Sequence, residues 1–203
     1  LAHHADFGDR GHKHIFQEAI RIPPVHLVRR GVLQQELLEL ILLNCQIPEE
    51  RRADLRAQQA ALHTAIDRYH ELCRRYGRET MVEVATELLD YTERRTRAAI
   101  AEFPDGHYAF TDWFDCPELD EELELRIAVT IAGDQITFDF TGNPPQVRAS
   151  VNVVWTGLYA ACYYTLKTLI DPDILPNAGL YRPVTVTAPL GSILNCESPA
   201  AVN

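Results

Sequence analysis

The chain has 203 residues, 46% of them hydrophobic and 24% charged, with a formal net charge of -10 at pH 7. That is ordinary for a folded soluble protein with material for a sizeable core, and the acidic excess argues against nucleic acid or an anionic membrane as partner, since both reward Lys and Arg. Five cysteines, Cys45, Cys73, Cys116, Cys162 and Cys196, are odd in number, widely spaced and never in a C-x-x-C pair, which excludes a disulfide framework and a zinc ribbon.

No apolar run approaches the ~20 residues of a transmembrane helix, and no basic stretch followed by an apolar one opens the chain. The expectation is a cytoplasmic protein with free thiols. Leu1 at the start and the uncapped "SPAAVN" at the end read as the edges of a piece of a larger chain.

In chain order, residues 15–31 hold a Pro-Pro pair that favours extended backbone, and Gly31 marks a turn. Leu33, Leu37, Leu40 and Ile41 then follow the spacing of an amphipathic helix. Pro48 with Glu49 and Glu50 predicts a helix start, and Gly77 its stop after Tyr76. Leu55, Leu62, Ile66, Tyr69 and Cys73 line one face of this helix. A third helix is predicted over about Glu79 to Phe103, with Val82, Ala85, Leu88 and Leu89 facing in, ending at a "PDG" turn. The two long helices are expected to run antiparallel and to pack through Leu55, Leu62, Ile66, Leu88 and Leu89.

The pattern then becomes β-rich. "HYAFTDWFD" alternates, with aromatics at Tyr108, Phe110 and Trp113, and "LELRIAVTI" and "ITFDFTG" joined by "AGDQ" predict an antiparallel hairpin. Residues 153–170 read as a buried helix, and "RPVTVTAP" as a strand. The fold class is therefore α+β without a βαβ rhythm. It divides into a first segment over 1–31, a helical part over 32–104 and a β-rich part over 105–203.

Three groups of side chains carry ligand chemistry. His3, His4 and Asp6 in "LAHHADFGDR" are metal-ligand types. Their spacing alone leaves a metal corner, an exposed terminus and a tag remnant all open. His63, Asp67 and His70 share one helical face at the border of the apolar stripe, where a solvated rim competes with a metal site. His12 and His14 flank Lys13 and read as surface. "DFTGNPP" and "PNAGLYRP" are polar glycine-containing loops that suit substrate contacts or plain turn formation equally. No phosphate-binding loop, dinucleotide fingerprint or nucleophile elbow is present, so catalytic residues are not assigned.

The ordered series "AHHAD", "QEAIRIPPV", "PEERRADLRAQ", "LLDYTERR", "ITFDFTGNPPQV", "DPDILPNAGLYRPV" and "PAAV" resembles the hydantoinase B/oxoprolinase family over nearly the whole chain. This family includes the B-type component of N-methylhydantoinase, the C-terminal half of 5-oxoprolinase, and components of acetone and acetophenone carboxylases. The resemblance implies an internal part of a longer subunit, so that 1–31 would include a metal corner. It implies ATP-dependent opening of a cyclic amide, completed here after a hydantoinase A-like partner with ATP and Mg has phosphorylated the substrate. The alternatives are a ketone carboxylase component and a non-catalytic scaffold for an ATPase partner. It also implies a divalent metal (Mn, Zn or Fe), held partly by His3 and Asp6, with His4 beside them. Where the family pattern has further glycines, this chain has Asp9 and Ala19, and "TGN" stands for "TGS". The first of these departures bears on the geometry of the corner.

Overall fold

The computed structural model describes residues 12–18, 20–120 and 122–202. His3, His4, Asp6 and Asp9 lie outside them, as does Ala19. Residues Val28–Arg29 (β1) and Val32–Leu33 (β2) pair through a two-residue turn at Arg30 and Gly31. Leu33 thus belongs to a strand rather than to the predicted helix. Helix α1 spans Gln35–Leu43 and buries Leu38, Ile41 and Leu42. Leu40, predicted to face inward, is exposed.

Helix α2 spans Pro48–Tyr76 and α3 spans Arg78–Ile100. Proline at the first turn supplies a preset φ where no amide partner is needed, and acids there meet the positive end of the dipole. Gly77 separates the helices with φ 87°, a value an L side chain resists, and its N–H caps α2 by donating to Cys73 O.

The predicted packing of these helices is corrected. Leu62, Ile66 and Leu88 are exposed, as are Val82 and Tyr69, and α2 buries no residue. The inward face of α3 is instead Thr92, Thr96 and Ile100, at i, i+4 and i+8. Both threonines return their hydroxyls to the carbonyl four residues back (Leu88 O at 3.0 Å, Thr92 O at 2.8 Å), which lets polar side chains enter a core. Hydropathy assigns the apolar residues inward and misses such threonines.

Four strands form the main sheet in the order β3 (Gly106–Phe114), β4 (Leu123–Ala132), β5 (Gln135–Asp139), β6 (Val184–Thr187). The β4–β5 hairpin is antiparallel, as its alternation predicts. β6 pairs parallel to β5. Between them lies α4, Trp155–Ile170, so the chain contains one βαβ crossover where the sequence pattern predicts none.

The register sets Ile131, Ile136 and Val184 in one row across β4, β5 and β6. Phe138 and Phe140 extend that face, and Leu158, Cys162, Tyr163 and Leu166 of α4 pack over it with Ile100. α4 is buried on this side only: Tyr164 and Leu169 point to solvent. β3 is an edge strand, and Tyr108, Phe110 and Trp113 lie largely exposed on it. A second cluster, Cys116, Leu123, Ala149, Val151 and Ile193, closes the far end of the sheet.

Candidate functional site

The predicted metal corner precedes a described segment, so the site is built from where that segment docks. Residues Ile15–Gln17 make a 3-10 turn. Gln17 Oε1 accepts the Lys13 and His14 amides at 2.9 and 3.2 Å, which fixes the entry of the chain. Ile15 N donates to Pro199 O at 3.0 Å. Glu18 completes the docking: its Oε1 accepts the Val202 amide at 2.6 Å and lies 3.1 Å from the Ser150 hydroxyl. The same hydroxyl lies 2.9 Å from Val202 O, so its single proton serves two acceptors.

Asn152 holds the other side of this junction. It is 0% exposed. Its Oδ1 accepts the Val147 amide at 2.8 Å, and its Nδ2 faces Val147 O, Ala149 O and Ala201 O at 2.8 to 2.9 Å. One buried carboxamide therefore ties the loop over 147–152 to the segment over 200–202. Gln146 adds a third tie by accepting the Glu197 amide at 2.7 Å. Cys196 lies in the same junction, its thiol pushed up by burial and further by the nearby Glu18 carboxylate.

This junction anchors the backbone directly downstream of the His3 and Asp6 segment. Glu18 falls inside the "QEAIRIPPV" motif, which gives it no role of its own, and no quoted motif contains Ser150 or Asn152. The one signal is Asn152 itself, an amide between valines in an apolar run. Such a residue is costly to bury unless its amide is fully bonded.

The remaining candidates resolve structurally. His63, Asp67 and His70 are exposed on α2, and His14 is exposed. Among the described residues no group of three or more His, Cys, Asp or Glu is arranged to hold a metal. "PNAGLYRP" is a clasp on α3. Asn177 donates from Nδ2 to Thr92 Oγ1 at 2.8 Å while its Oδ1 accepts the Gly179 amide at 2.8 Å. A Cβ on Gly179 would sit 2.1 Å from Leu89 O, so only glycine allows this approach. Arg182 then reaches Asp90 and Glu93 at 2.6 and 2.8 Å, and its guanidinium, with that of Arg97, holds the Glu93 carboxyl below the usual range.

"DFTGNPP" is a second clasp. Asp139 accepts both the hydroxyl and the amide of Thr141, which lowers its carboxyl. Asn143 bonds the Arg126 amide and carbonyl and Phe140 O. Both loops hold elements of the fold together.

Residues 1–203 match the family model described as hydantoinase B/oxoprolinase. An uncharacterised protein of Methanocaldococcus jannaschii is 32% identical over 210 residues, covering 100% of this chain and 37% of that protein. The beta subunit of caprolactamase from Pseudomonas jessenii is 32% identical over 190 residues, covering 93% of this chain and 32% of the relative. The crystal structure of the ATP-dependent caprolactamase from that organism superposes with a TM-score of 0.85 at 31% identity, over 96% of this chain and 34% of that one. A nucleotide-free acetone carboxylase superposes with a TM-score of 0.89 over 96% of this chain and 27% of that one, at 17% identity, a likeness of fold alone.

The chain thus spans about a third of the length of these relatives. Among the described residues no helix is long and apolar enough to cross a membrane. With the whole of its length matched, the chain belongs to the hydantoinase B/oxoprolinase family, whose members include subunits of ATP-dependent hydantoinase, oxoprolinase and caprolactamase enzymes.

Proposed function

We propose that this chain is part of the B-type component of an ATP-dependent cyclic-amide hydrolase that completes ring opening after an A-type, ATP-binding partner has phosphorylated the substrate. The observation that carries the reading is the likeness to the ATP-dependent caprolactamase in both sequence and fold over nearly the whole chain. A ring amide resists direct attack by water because its carbon is shielded by resonance. Transfer of the γ-phosphoryl group of ATP to the amide oxygen, releasing ADP, makes that carbon electrophilic. Water then adds to it, the C–N bond breaks with the nitrogen taking a proton, and phosphate leaves on hydrolysis.

His3 and Asp6 are proposed to face this site as metal ligands, with His4 beside them. A neutral imidazole and a carboxylate suit Zn, Mn or Fe(II), and such an ion would supply Lewis acidity toward the reacting oxygen or water. One or two ligands make no tight site, since typical sites use about four to six. What supports the described side of this reading is the docking of residues 15–18, which Glu18 and the Ile15 amide fasten to the segment over 199–202.

The test uses the intact protein with its copurifying partner. Phosphate release from ATP should depend on lactams, hydantoins or 5-oxoproline. Release that instead requires a ketone and bicarbonate would move the protein to the carboxylase branch. His3→Ala should lower both metal content and turnover with the fold intact, while His63→Ala should leave bound metal unchanged. Full metal occupancy and unchanged turnover in His3→Ala would sink the ligand assignment.

A further inference from the structure

We draw no further inference here: the strongest candidate, the open edge of the main sheet along β3 with Tyr108, Phe110 and Trp113 exposed on it, carries nothing because nothing in the structure shows what covers it.

Discussion

Asn152 shows how much one side chain holds. Its carboxamide serves four backbone groups from two segments, in full burial. Asn152→Ala leaves those groups without water or partner, and the expected loss is on the order of 3 kcal/mol, read from the urea midpoint. Asn152→Asp keeps the acceptor for the Val147 amide but turns a carboxylate toward three carbonyls. Its destabilisation should shrink as pH falls and the carboxyl regains a donor proton. Cys162 gives a prediction of the same sense at alkaline pH. Burial against the sheet pushes its thiol up to about 11, above the ordinary thiol range. The unfolded thiol loses its proton first. Between the ordinary range and the raised value the unfolded state therefore binds fewer protons, and stability must fall as pH rises. Burial and the neighbouring Tyr159 push Tyr163 in the same direction. Alkaline urea titration should show this loss, and Cys162→Ala should reduce it. In the native protein Cys162 should resist iodoacetamide at about pH 8, below the raised thiol value, while Cys73, partly exposed on α2, is alkylated.

At the scale of elements, α3 is held to the sheet by its C-terminal half and by the clasp over 177–182. The Asn177 side chain caps the 3-10 turn and bonds Thr92. Asn177→Ala should cost about 1 kcal/mol, as loss of a capping side chain does, in a denaturant titration. Gly179→Ala should cost more, because its Cβ would overlap Leu89 O and the turn must retreat from the helix. Arg182→Ala removes only exposed ion pairs and should change the midpoint least. The same order is expected in hydrogen exchange of the Thr92–Ile100 turns. A larger effect for Arg182 than for Gly179 would mean that charge, and not close packing, holds the clasp.

For the whole molecule, the described residues divide into a packed βαβ-containing body and a long helix with its apolar seam in solvent. The body fixes residues 15–18 through Glu18 on Val202, in a segment that Asn152 holds in turn through Ala201. No nucleotide-binding loop is present in the sequence. The 203-residue chain alone is therefore expected to release no phosphate from ATP, with or without a cyclic amide, in a colorimetric phosphate assay. Release by the purified chain would assign it a nucleotide site of a kind its motifs do not predict.

Local signals determined the elements whose causes are local. Pro48 and Gly77 set the ends of α2, and the alternation on either side of "AGDQ" set the hairpin. The ordered motifs also carried the family. Tertiary structure alone decided which faces are buried. The apolar stripe of α2 reads as core by its period, yet stays in solvent because no described element covers it, while Thr92 and Thr96 enter the core because each hydroxyl bonds its own helix. The parallel pairing of β6 with β5 is likewise hidden, since strand direction depends on a crossover that hydropathy does not encode. What Asn152 and Glu18 hold is hidden for the same reason: their partners at Ala201 and Val202 stand far away along the chain, and only the fold brings them together.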